Sequence, residues 1–232
     1  MFLQADPNIS GIFRNSTAVG YQANGVNNGY TLATPAFKNV SGGDYDIQNI
    51  KVNGAANDGD VGMQIFNDKG RMENIYFWLN EYYGDDDGWY VDVVGSKIAE
   101  KTLKPGEAFY LYAPYAGVTL QSAGEVGKTY TATANNGYTL IGNSFPVAIG
   151  PKNIKVNGAA NDGDVGMQIF NDKGRMENIY FWLNEYYGDD DGWYVDVVGS
   201  KEAEFTLEPG QAIYLYAPYA GVTLNFTNPV QF

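Results

Sequence analysis

The stretch from Asn49 to Lys97 recurs without a substitution as Asn153 to Lys201, so whatever one half folds into, the other half must fold into as well. The likeness continues with changes on either side. IAEKTLKPGEAFYLYAPYAGVTL at Ile98 to Leu120 is answered by EAEFTLEPGQAIYLYAPYAGVTL at Glu202 to Leu224, and NNGYTL at Asn27 to Leu32 returns at Asn135 to Leu140. These matches predict an arm at Met1 to Ala18, one unit at Val19 to Gly124 and a second at Glu125 to Phe232. Two domains of roughly 100 residues are a natural division of such a length. A packing requirement alone would hold the inward residues and let the surface drift, yet here the polar loops are identical too. Recent duplication or engineering accounts for that; two copies of one contact surface is the alternative.

Turn signals fall at the short intervals of an all-β domain. Asn67-Asp68-Lys69-Gly70 joins Ile65-Phe66 to Met72 to Leu79 as a hairpin, and Gly84 to Gly88 joins Ile75 to Leu79 to a strand from Trp89 to Val94. Lys104-Pro105-Gly106-Glu107 has proline and glycine where a type II turn wants them, ahead of a strand at Ala108 to Tyr112. With Tyr30 to Phe37, Asp46 to Val52 and Val118 to Gln121, each unit has the strand content of a β-sandwich of jelly-roll or immunoglobulin-like type. Ile65, Phe77, Val91 and Leu111 are expected in one core, and Ile169, Phe181, Val195 and Leu215 in the other.

Composition narrows the chemistry. Cys is 0 and His is 0, which removes thiol nucleophiles, thiolate metal sites and the commonest general base. A formal charge of -13 disfavours nucleic acid and anionic membranes, and no apolar run approaches the roughly 20 residues of a membrane span. No nucleotide loop or catalytic triad motif is present, so the chain reads as a non-enzyme.

Three constellations are candidate sites. Asp58, Asp60 and Asp85, Asp86, Asp87, with Asp162, Asp164 and Asp189, Asp190, Asp191, supply the hard oxygens on Asp-Gly loops that calcium takes, and they are equally what solvated tight turns use. The aromatic run around Tyr76-Phe77-Trp78, Tyr82, Tyr83 and Trp89, with Tyr186, Tyr187 and Trp193 in the second unit, is the second. Strand alternation sends such a run to both faces, so packing claims Phe77 and one tryptophan while the remainder is left for an interface or a sugar. Glu81 and Asp87 would be a glycosidase pair if their spacing in the fold allowed it. In the arm, Ile9, Ile12 and Phe13 form a strand-like piece outside both repeats, suited to adding to a sheet edge of its own or a neighbouring molecule.

The phrases GYTLIGNSFPV, VGMQIFND, YFWLNEYY and LKPGEAFYLYAP resemble tandem β-repeats of bacterial exported proteins, in which a strand of GYTLIGNPF type opens a unit and a PGQGFW-like strand closes it. Ala33-Thr34-Pro35-Ala36-Phe37 departs from that form in the first unit, and Ser144 replaces its proline in the second. The resemblance implies an extracellular or cell-surface protein and carries no activity with it. The expectation is a structural protein whose partners are copies of itself in a filament or other polymer, with a carbohydrate-binding module as alternative and a glycoside hydrolase third.

Overall fold

The computed structural model of the chain describes residues 3–6, 9–14, 17–25, 29–37, 43–67, 71–79, 87–91, 95, 97–170, 175–183, 191–195 and 201–230. It is all-β. Helical structure among the described residues is confined to two 3-10 turns, Ile47–Asn49 and Pro151–Asn153.

The first half contains β1 (Leu3–Asp6), β2 (Ile9–Arg14), β3 (Thr17–Gly25), β4 (Gly29–Ala33), β5 (Tyr45–Asp46), β6 (Lys51–Asn53), β7 (Gly62–Phe66), β8 (Met72–Trp78), β9 (Gly88–Tyr90), β10 (Thr102–Leu103), β11 (Phe109–Ala113) and β12 (Thr119–Glu125). One five-stranded sheet runs β1-β2-β3-β12-β6 and another β4-β11-β7-β8-β9, while β5 pairs with β10. The second half contains β13 (Thr129–Thr133), β14 (Gly137–Gly142), β15 (Ile154–Asn157), β16 (Gly166–Phe170), β17 (Met176–Trp182), β18 (Gly192–Tyr194), β19 (Ala212–Ala217) and β20 (Thr223–Thr227). Its sheets run β13-β20-β15 and β14-β19-β16-β17-β18.

β13 occupies in the second repeat the place of β3 in the first: Ala132 faces Leu224 as Asn24 faces Leu120. Among the described strands, β3 and not β13 has further strands added beyond it. The N-terminal arm pairs with it inside the same chain, Ile9 opposite Gln22 and Phe13 opposite Ala18, and β1 folds back on β2.

Alternation decides what is buried. Along β11, Phe109, Leu111 and Ala113 are buried while Tyr110 and Tyr112 face away. Val52 and Leu120 of one sheet meet Met63, Ile65, Phe77, Phe109 and Leu111 of the other in a single core, and Val156, Leu224 and Phe226 meet Met167, Ile169, Phe181 and Leu215 in its counterpart. The Lys104 to Glu107 turn closes as expected: the Glu107 N–H donates to the Lys104 carbonyl at 2.9 Å, and Gly106 sits at φ 83.

Val91 and Val195 are not core residues, being 43% and 37% exposed. The chain turns back after Tyr90, which bridges Ile98, and the Val91 N–H is taken by Lys97; Val195 and Lys201 repeat the arrangement. Both valines are left at the rim, and the inward place that alternation assigned to them belongs to Trp89 and Trp193.

In the second repeat, Asn143 is fully buried and acts as a staple. Its amide donates to the carbonyls of Val147 at 2.8 Å and Leu207 at 2.9 Å, and its Oδ1 accepts the Phe145 N–H at 3.0 Å. This is the asparagine of the GYTLIGN phrase, and Pro35 stands in its place in the first repeat.

Candidate functional site

The same alternation that buries Leu111 sends Ala108, Tyr110 and Tyr112 to the outer face of their sheet, where Leu32 and Tyr30 of β4 stand opposite Tyr110 and Tyr112. Ala212, Tyr214, Tyr216, Leu140 and Tyr138 do the same in the second repeat. At one end these two outer faces close on each other. Ala108, Leu140 and Ala212 are buried together, and Leu32, Tyr110 and Tyr214 pack around them.

Backbone bonds fasten this seam. Ala33 bridges Gln211 and Ile141 bridges Glu107; the Thr34 N–H donates to the Gly210 carbonyl at 3.0 Å and the Gly142 N–H to the Gly106 carbonyl at 2.9 Å. Thr34 aligns with Gly142, and Gly106 with Gly210, so these are the same contacts made twice about a near-twofold axis. On that axis the Tyr110 and Tyr214 hydroxyls are hydrogen-bonded at 2.9 Å.

Away from the seam the rings emerge into solvent. Six tyrosines form an unbroken row: Tyr112 lies 5.1 Å from Tyr30, Tyr30 6.5 Å from Tyr110, Tyr110 6.5 Å from Tyr214, Tyr214 6.5 Å from Tyr138, and Tyr138 5.2 Å from Tyr216. The two central rings are half-buried, and the outer ones are open, Tyr30 and Tyr138 at 60% and 61%. Beside the row, Gln64 faces Tyr110 across the ladder and donates to Asn74 at 3.0 Å. Gly62 faces Tyr112 and leaves the sheet flat there. Burial pushes the Tyr110 hydroxyl up to about 12, helped by its bond to Tyr214. The Tyr110 ring is therefore uncharged at neutral pH, a donor and acceptor rather than an anion.

The residues singled out from sequence fall elsewhere. Trp89 and Trp193, expected at an interface, are core side chains here: each is buried against Phe77 or Phe181, with its indole N–H donating to the carbonyl of Ile50 at 2.9 Å or Ile154 at 3.1 Å. A large amphipathic ring was the right size to fill the core beside Phe77 and could still satisfy its polar atom. Ile9, Ile12 and Phe13 lie in β2, paired with β3. Tyr82, Tyr83, Tyr186, Tyr187, Glu81, Asp85, Asp86, Asp189 and Asp190 lie outside the described residues.

Asp87 and Asp191 are exposed beside β9 and β18. Asp58 accepts the Leu79 N–H at 2.8 Å, and Asp60 accepts from the Asn57 amide at 2.7 Å and from Tyr115 at 3.4 Å; Asp162 and Asp164 repeat these contacts in the second repeat. Among the described residues no group of three acidic, histidine or cysteine side chains gathers around a point. No helix among them is long and apolar enough to cross a membrane.

The chain matches no protein-family model, and comparison with curated proteins and with solved structures returns no match.

Proposed function

We propose that the chain is a non-catalytic binding protein of the cell exterior, each repeat a two-layer β-sandwich, and that its tyrosine row takes a neutral polysaccharide. The observation that carries this reading is the continuity of six partly exposed rings through the seam, beside paired amides. The C–H faces of sugars pack on aromatic rings, while amides and phenolic hydroxyls bond sugar hydroxyls. A chain of charge -13 repels polyanions, which favours an uncharged ligand. Placement outside the cell is supported by the resemblance to exported repeat proteins.

Affinity electrophoresis through gels cast with neutral polysaccharides tests the proposal. The protein should be retarded by at least one of them, and Y30A/Y112A/Y138A/Y216A, which removes solvent-facing rings only, should run free. Equal retardation of the two proteins, or none with any polysaccharide, would refute it.

Self-assembly into a polymer is the second reading, favoured by one observation. The sheet of the first repeat ends at β1, while that of the second ends at β13, where the first repeat carries two more strands. Edge strands are templates for pairing between molecules. Sedimentation should then show concentration-dependent growth that deletion of residues 1–16 alters; a monomer at every concentration removes this reading.

A further inference from the structure

The two repeats are identical over the long segment from Asn49 to Lys97, yet they differ where they meet. Ala33-Thr34-Pro35-Ala36 faces Ile141-Gly142-Asn143-Ser144 across the seam, and Glu107 takes the place of Gln211. We propose that the seam is a lock between unlike repeats, in which the face of the first accepts the face of the second and neither accepts its own kind. This holds whatever the tyrosine row binds.

Two sets of contacts carry the inference. Thr34 packs directly on Gly142: a Cβ at that glycine would lie 2.4 Å from the Thr34 Cγ2 and 2.9 Å from the Gln211 carbonyl oxygen. Gly142 has an ordinary negative-side backbone, so space and not conformation excludes a side chain there. In a pairing of two first-type repeats, threonine would meet threonine at this point, and the overlap has no flexible end to yield. In a pairing of two second-type repeats, glycine would meet glycine and leave the threonine's volume empty.

The second set is polar. The Gly106 N–H donates to the Ser144 Oγ at 2.7 Å, and the Thr34 hydroxyl donates to the Glu107 carbonyl at 2.7 Å beside that same Ser144. Alanine occupies the aligned position in the first repeat, so a like pairing of first-type repeats would lose the Ser144 acceptor of the Gly106 N–H. Tyr130 adds a third element: its hydroxyl donates to the Gly142 carbonyl while its ring covers Gly106, a place where the first repeat has Gln22. Specificity of this kind comes from clashes and unpaired groups in the wrong complex as much as from fit in the right one.

An exchange experiment on the full chain tests the lock by thermal unfolding. Gly142→Thr should lower the melting temperature by about 5–15 °C through overpacking, and Thr34→Gly by a smaller amount through the lost hydroxyl and the void. The exchanged chain, Thr34→Gly with Gly142→Thr, restores one threonine against one glycine in the reverse sense and should recover more than half of the summed loss. Should Gly142→Thr fail to fold, rescue of folding by Thr34→Gly is the corresponding result. An exchanged chain that melts at the sum of the single losses, or fails to fold where Gly142→Thr fails, overturns the proposal. So does a Gly142→Thr chain that melts as the wild type does.

Discussion

Asn143 offers the sharpest quantitative test of how the second repeat is held. Its side chain, itself fully buried, satisfies three backbone groups: the Val147 and Leu207 carbonyls and the Phe145 N–H. Leu207 O keeps a second donor, the Ile149 N–H at 3.1 Å, so its loss is the mildest. Asn143→Ala therefore abandons the Phe145 N–H and the half-buried Val147 carbonyl outright, and the Leu207 carbonyl in part. At about 1–3 kcal/mol for each stranded group, the cost is roughly 3–5 kcal/mol. For a repeat of this size that is a fall of about 12–30 °C in melting temperature.

Asn143→Asp separates hydrogen bonding from volume, because it is nearly isosteric yet aims a carboxylate oxygen at two carbonyl oxygens. It should be at least as damaging as alanine at neutral pH, and partly relieved in acid, where a protonated carboxyl can donate to one of them. Differential scanning calorimetry of the three chains gives the comparison. An aspartate variant more stable than the alanine variant at neutral pH would refute the donor role assigned to this amide.

Three further outcomes are expected. Trp89→Phe strands the Ile50 carbonyl and should cost about 1–3 kcal/mol in a urea titration, with the equivalent change at Trp193 costing much the same; an unchanged midpoint would place the indole in solvent. Burial raises the Tyr45 hydroxyl, and burial with the Tyr214 bond the Tyr110 hydroxyl, each from 10.0 to about 12. Both groups hold their proton more tightly when folded, so their contribution is complete below pH 10 and is lost as pH rises from 10 to about 12; for Tyr45 it is on the order of 2–3 kcal/mol, and Tyr45→Phe should flatten that alkaline loss in urea titrations. Asp58→Asn keeps the acceptor for the Leu79 N–H and should leave stability near wild type, whereas Asp58→Ala should lose about 1 kcal/mol; equal losses would mean that the charge and not the hydrogen bond matters.

Much of the local structure was legible because each turn states its own chemistry. The proline and glycine of Lys104 to Glu107, and the alternation of Phe109 to Ala113, need nothing from outside to be read. Val91 was misjudged because alternation says nothing about where a strand stops, and here the return to Ile98 stops it at Tyr90, before Val91 is reached. The tyrosine row was out of reach for a different reason. Its centre exists only because two outer sheet faces meet, and an alanine at an outward position, Ala108 or Ala212, gives no sign from within one repeat that another surface covers it. The available signal lay in comparing the repeats: otherwise matching sequences that diverge at Ala33 to Ala36 and Ile141 to Ser144 mark a place where the two halves touch something different, namely each other.

The near-twofold axis through Tyr110 and Tyr214 has a consequence for any ligand laid along the row. A sugar chain has a reducing and a non-reducing end, whereas the two wings of the row are related by half a turn. Whichever way such a chain is threaded, it meets the same tyrosines in the same succession, once head-first and once tail-first. A surface of this kind can grip a strand but cannot sense its direction, and antiparallel neighbours in a bundle of strands would be held as readily as parallel ones.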